Sequence, residues 1–120
     1  MNCGVYCVKR FLEIKGIREG SIVDELSELV NDEGLSVSDL MDVLARHNIS
    51  CEAYYSNKPY WQAPYIMLDA VRGHYYLVEQ VDGLFVRLSD VNRENIVLFR
   101  CLFRLFWQKY YITMCYNTCN

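Results

Sequence analysis

The chain has 120 residues, 52% of them hydrophobic and 14% aromatic, with a formal net charge of −3 and a pI near 5.3. That length holds one core, and the apolar content is enough to fill it without a disulfide or metal staple. The acidic balance, with Lys and Arg scattered, argues against a nucleic-acid partner, which calls for a basic face. The most apolar stretch, Ile96 to Trp107, is interrupted by Arg100 and Arg104 and is too short to span a bilayer.

In chain order, Met1 to Arg10 carries no basic leader before an apolar run, so it does not read as a signal peptide, and a reducing, cytoplasmic setting is inferred. Asn2 is a natural N-cap for a helix from Cys3 to about Lys15. In that helix Val5, Tyr6, Val8, Phe11, Leu12 and Ile14 fall on most sides of the wheel, and Gly16 closes it. Ile22, Val23, Leu26, Leu29 and Val30 follow the rhythm of an amphipathic helix that Gly34 ends. Ser36 and Asp39, three apart, start another, with Val37, Leu40, Met41 and Leu44 as its stripe up to His47.

After Asn48 the period changes. Ser50–Tyr55, Tyr65–Asp69, His74–Gln80 and Leu84–Asp90 read as strands, punctuated by Gly73 and Asp82-Gly83. A short helix from Leu98 to Trp107 and a closing strand from Lys109 to Met114 follow, with 115–120 as a frayed tail. Helices first and strands afterwards predict an α+β fold with an antiparallel sheet. No repeat, low-complexity tract or linker divides the chain, so residues 1–120 are expected to form one domain.

Six cysteines, at 3, 7, 51, 101, 115 and 119, have none of the two-residue spacings of zinc ribbons or redox dithiols, and free thiols are the expectation. The pairs Cys3/Cys7 and Cys115/Cys119, each four apart, also allow a four-thiolate site if both lie on helices. The favoured reading has no metal and no cofactor. Cys3 stands out because a thiol at a helix N-terminus feels the positive end of the macrodipole and ionises more easily. Of the two histidines, His47 ends a helix, where an imidazole is usually structural. His74 opens a strand after Gly73, where it can face a cleft and act as a general base.

Strand register tests the third member. A two-residue turn at Asp82-Gly83 pairs Val81 with Leu84 and puts Asp90 on the face opposite His74. A three-residue loop Val81-Asp82-Gly83, with Gly83 left-handed, pairs Gln80 with Leu84 and sets His74 directly across from Asp90. The second register is preferred because it aligns Tyr76, Val78, Leu84, Val86 and Leu88 on one face, with Glu79 diagonal to Arg87 on the other. Asp90 then orients the imidazole; alternatively it only caps the following turn.

Asn2-Cys3-Gly4 opening a helix, the helix start Gly34-Leu35-Ser36-Val37-Ser38-Asp39-Leu40, the strand Ala63-Pro64-Tyr65-Ile66, the run from Gly73-His74 to Val78, and Asp90 one hairpin later occur in a specific order. In that order, from Cys3 to about Met114, the chain resembles the bacteriocin-processing cysteine peptidases that remove double-glycine leaders. The resemblance implies a papain-like fold with Cys3 as nucleophile, His74 as base and Asp90 as orienting acid, and cleavage of a leader peptide after Gly-Gly. Many members are the cytosolic N-terminal domain of an ABC transporter, so the implied partners are a peptide substrate and a transporter. The family carries Asp before the cysteine, where this chain has Asn2, and further upstream a glutamine that helps form the oxyanion hole. The chain starts at Met1, so that position is not in it, and slow turnover is expected. The Cys3 backbone N–H is one oxyanion donor. Asn2 is a weaker side-chain candidate because it is better placed to cap the helix, and Gln62 is a more distant one. Tyr54, Tyr55, Tyr60 and Trp61 are expected either to line an apolar groove for a leader helix or to be core and rim. Three readings stay open: a peptidase, a leader-binding module without full turnover, and an amide or acyl transferase using the same cysteine.

Overall fold

The computed structural model describes residues 1–18 and 20–116. Helix α1 (Cys3–Lys15) begins under the Asn2 cap and ends at Gly16, whose φ of 70° is left-handed and lets Gly16 and Ile17 N–H return to Glu13 and Leu12 carbonyls. Helix α2 spans Gly20–Leu29, with Ile22 and Leu26 buried. Helix α3 (Val37–Arg46) starts where Ser36 Oγ accepts the Asp39 N–H at 3.1 Å and buries Leu40, Val43 and Leu44. Six strands follow: β1 Ile49–Tyr55, β2 Tyr65–Asp69, β3 His74–Val81, β4 Phe85–Ser89, β5 Ile96–Phe99 and β6 Tyr110–Tyr116, with helix α4 (Arg100–Phe106) between the last two.

The strands form one antiparallel sheet in the order β1-β6-β2-β3-β4-β5, so the last strand inserts between β1 and β2. Alternation along the strands feeds two apolar layers. On one face Ile49, Ile66, Tyr75, Leu77, Ile112 and Met114 pack against Val8, Phe11, Leu12, Leu40 and Leu44 of the N-terminal helices. On the other, Tyr65, Met67, Val78, Val86 and Leu88 pack against Phe103 of α4, Trp107 and the loop carrying Tyr60 and Trp61. Helices therefore cover both faces, α1 to α3 on one and α4 on the other.

Several boundaries differ from expectation by one or two residues, with Ile49 and Val81 inside β1 and β3 and Leu84, Asp90 and Trp107 outside β4 and α4, and one strand, β5, is unexpected. Leu98 and Phe99 belong to strand β5 and not to the following helix: Phe85 pairs with Phe99, Val86 with Leu98, Arg87 with Val97 and Leu88 with Ile96. Cys115 and Tyr116, expected in the frayed tail, are the end of β6, paired with Ser50 and Ile49. Residues 117–120 of that tail lie outside the described residues. Among the described residues no helix is long and apolar enough to cross a membrane.

Candidate active site

The site is built at the start of α1 and the start of β3. Asn2 Oδ1 accepts the N–H of Gly4 at 2.7 Å and of Val5 at 3.3 Å, and its carbonyl accepts the N–H of Tyr6. The cap fixes the first turn and holds Cys3 at the positive end of the helix. It also turns the Asn2 side chain toward the helix, so the geometry supports Asn2 as a cap and not as an oxyanion donor. Gln62 is exposed and takes a 3.4 Å bond from the Tyr60 hydroxyl.

Cys3 Sγ lies against the backbone on either side of His74. It accepts the N–H of Tyr75 at 3.4 Å and is 3.9 Å from the carbonyl oxygen of Gly73. Strand β4 stops at Ser89, paired with Leu77, so the backbone around Tyr75 extends past the end of its neighbour. The thiol occupies that place. Gly4 makes the approach possible: a β-carbon there would lie 3.1 Å from Leu35 Cδ2 and from the Tyr75 ring, which is itself held by a 2.7 Å bond from its hydroxyl to the Leu35 carbonyl.

His74 Nε2 is 3.1 Å from Asp90 Oδ2, with the two side chains 23% and 11% exposed. The ring meets Tyr76 edge-on at 4.6 Å, and Tyr76 in turn meets Phe106 of α4. Asp90 makes the contacts of both alternatives considered for it. Oδ2 faces His74, while Oδ1 accepts the N–H groups of Asn92 and Arg93, each at 2.8 Å, and so caps the turn after β4. Burial opposes its charge, but the imidazole and the two backbone N–H groups outweigh burial and hold the carboxyl below its ordinary value.

The contact arises through a register different from the one expected. Asp82 N–H bonds to Phe85 O at 3.0 Å, and the Asp82 carboxylate accepts the N–H groups of Leu84 and Phe85. Gly83 and Leu84 form the tip. Gly83 does not have a positive φ, and Gln80 pairs with Arg87 rather than Leu84. This tip alone would send Asp90 to the wrong face. A β-bulge between Val78 and Gln80 shifts the pairing by one residue, so that Val78 meets Leu88 and Leu77 meets Ser89. Asp90 then returns to the His74 face, diagonal to it and in the turn beyond β4. Glu79, expected diagonal to Arg87, instead binds Arg10 and Ser89.

The other expected residues are dispersed. His47 closes α3, and its Nε2 lies 2.8 Å from Glu25 of α2. Tyr54 and Tyr60 stack on either side of the Tyr111 ring, at 5.1 and 4.7 Å. Trp61 packs on Phe103 beneath the guanidinium groups of Arg100 and Arg104. Tyr55 points to the other face of β1, edge-on to Tyr110, so the four aromatic residues do not share one surface. Cys7 is buried in the helical layer, while Cys115 is exposed on a strand and not on a helix; Cys119 lies outside the described residues. Residues not singled out in the sequence also shape the site: Tyr75 supplies a backbone donor, and Ser89, next to Asp90, is buried. A polar residue directly before the acid in an apolar strand was the available signal.

A model of the Peptidase C39 family matches residues 1–118. No curated protein sequence matches the chain. Among solved structures, a double glycine motif protease from an AMS/PCAT transporter, in complex with the leader peptide, has a TM-score of 0.74 at 12% identity, covering 94% of this chain and 83% of its own. The peptidase domain of Streptococcus ComA, a bifunctional ABC transporter of a quorum-sensing pathway, has a TM-score of 0.74 at 15% identity, covering 97% and 92%. The Streptococcus mutans ComA peptidase domain has a TM-score of 0.58 at 14% identity, covering 77% and 85%. At these identities the structural likeness is one of fold.

Proposed function

The chain belongs to the Peptidase C39 family of cysteine peptidases, and from that premise we propose that it cleaves a leader peptide after a Gly-Gly pair, with Cys3 as nucleophile, His74 as base and Asp90 as orienting acid. The observation that carries the reading is the junction at β3. His74 is bonded through Nε2 to Asp90, while both of its chain neighbours touch Cys3 Sγ. With Nε2–H donated to Asp90, Nδ1 is the basic nitrogen and the one available to the thiol.

In the proposed reaction Nδ1 takes the Cys3 thiol proton as the sulfur attacks the scissile carbonyl carbon, and a C–S bond forms. The Cys3 N–H, first in the helix and outside the Asn2 cap, meets the oxyanion. Protonated Nδ1 gives its proton to the leaving amine as the C–N bond breaks. Water, deprotonated by Nδ1, then hydrolyses the thioester and frees Cys3. We read residues 1–120 as one peptidase unit that works on the cytoplasmic side with an ABC transporter of the same export system. The double glycine protease and the ComA peptidase domain among its structural relatives support that assignment.

A leader-binding module of low turnover is the second reading, favoured by the commitment of Asn2 to the helix cap. Incubation with a double-glycine leader peptide followed by mass spectrometry separates them. Cleavage after the second glycine is expected, lost in Cys3→Ala and reduced by about a hundredfold or more in His74→Ala. Binding without cleavage by the wild-type chain would replace the peptidase reading with the binding module. Transfer of the acyl group to an added amine would make it a transferase.

A further inference from the structure

Glu79 stands at the bulge, between the paired residues Val78 and Gln80, on the sheet face covered by α1. A carboxylate in such a seam must recover its lost hydration from partners, and here every partner leads toward the site. Arg10 forks onto it, Nη2 to Oε1 at 3.2 Å and Nε to Oε2 at 3.3 Å. Ser89 Oγ donates to Oε2 at 2.5 Å.

Those two partners lie on the two halves of the candidate site. Arg10 is seven residues after Cys3 on α1, almost two full turns, so both lie on one side of the helix about 10 Å apart along its axis. Pinning Arg10 therefore sets the height and rotation at which Cys3 reaches Tyr75. Ser89 is fully buried and directly precedes Asp90. Its hydroxyl fixes the last residue of β4 and so the point from which the Asp90 turn departs. We propose, on the reading that the chain is a cysteine peptidase, that Glu79 is a positioning residue, locking the helix of Cys3 to the hairpin of His74 and Asp90 and holding Asp90 in place through Ser89.

The Arg10 side chain is 42% exposed against 11% for Glu79, and an ion pair open to solvent on one side adds little stability, which points to geometry as its role. The charged and titratable groups facing Glu79 are Tyr6, Lys9, Arg10 and Glu13 from α1, the chain end at Met1, and Glu94 from the loop after β4, lining with it a cavity of about 410 Å³. Cys7 lies within electrostatic reach of it.

The test uses the full chain and two readouts: kcat and KM on the leader peptide, and the pH midpoint for alkylation of Cys3 by iodoacetamide. Glu79→Ala and Ser89→Ala are each expected to lower kcat about tenfold with little change in KM. Both should move the alkylation midpoint to higher pH, toward that of Asp90→Asn. Glu79→Gln, which retains one acceptor, should fall between Glu79→Ala and wild type. Adding Glu79→Ala to Asp90→Asn should cost nothing further, because both act on one unit. Removing a negative charge acting only through its field would favour the thiolate and lower the midpoint, the opposite sign. A lower melting temperature with unchanged kcat and midpoint, or full additivity with Asp90→Asn, would overturn the proposal. Should Glu79→Ala fail to fold, Glu79→Gln and Ser89→Ala carry the same criteria. A wild-type chain that leaves the leader intact overturns the peptidase reading, and the proposal with it; intact wild-type cleavage with unaffected variants overturns the proposal alone.

Discussion

Cys3 and Cys7 sit four residues apart on one helix, yet their surroundings differ sharply. Cys7 is fully buried, and burial first, then the nearby Cys3, Asp90 and Glu79, push its thiol well above the ordinary value. Burial likewise pushes Cys51 up to about 11, which leaves only about one molecule in ten thousand as thiolate at pH 7. Cys3 is partly exposed, stands at the helix N-terminus and accepts a backbone N–H from Tyr75. Cys101, in the first turn of the seven-residue α4, and Cys115, on β6, are exposed, but among the described residues neither sulfur accepts a backbone N–H as Cys3 does. Iodoacetamide near neutral pH is therefore expected to label Cys3 first, ahead of Cys101, with Cys7 and Cys51 last in peptide mass mapping. His74→Ala should slow that labelling, whereas His47→Ala should leave it unchanged, because the His47 ring is tied to Glu25 on the far helices. Equal effects from the two histidines would remove His74 from the site.

The hairpin of β3 and β4 is where local pattern and final geometry part. Gly83 has ordinary backbone and open space where a β-carbon would go, whereas Gly73, with a φ of 64°, sits in the left-handed region immediately before His74. Gly73→Ala is expected to destabilise the protein by about 1 kcal/mol. Gly83→Ala should lie within about 0.5 kcal/mol of wild type, because only the flexibility of the unfolded chain changes. Chemical denaturation of both variants checks the pair, and the reverse order would mean that the loop had been misassigned. Features set by adjacent residues were legible in the sequence: the Asn2 and Ser36 caps, the Gly16 stop, and the strands of His74 and Tyr65. That His74 and Asp90 share a face was legible too, but for the wrong register. Nothing in Val78-Glu79-Gln80 marks a bulge, since the deciding interactions come from Arg10, 69 residues away, and from Ser89. Strand β5 was hidden for a different reason. Its residues run directly into α4, and Phe99 at that boundary offers no side-chain cap, so no polar or glycine residue separates the two periods.

At the scale of the molecule, the candidate site lies on the seam where the N-terminal helices meet a sheet completed by the last strand of the chain. Cys3 belongs to the helices, and His74 and Asp90 to the sheet and its turn, so on the proposed reading the distance between helix and sheet bears on catalysis. Gly4 sets that distance. The Tyr75 ring fits beneath it because no β-carbon intervenes, and neither neighbour can retreat easily: Leu35 is buried in the helical core and the Tyr75 hydroxyl is bonded to its carbonyl. Gly4→Ala brings a favourable helix residue, a gain of up to about 1 kcal/mol. It also forces overpacking that typically costs roughly 1–3 kcal/mol in a filled core. Overpacking should outweigh the gain in helix propensity, so the variant is expected to be less stable in denaturant and, more tellingly, to label slowly at Cys3 while still folded, because α1 must lift from Tyr75 N–H and the thiol with it. The layers would be shown to yield at this point if Gly4→Ala kept wild-type labelling and gained stability, and the close approach of helix to strand would then not be what holds Cys3 in place.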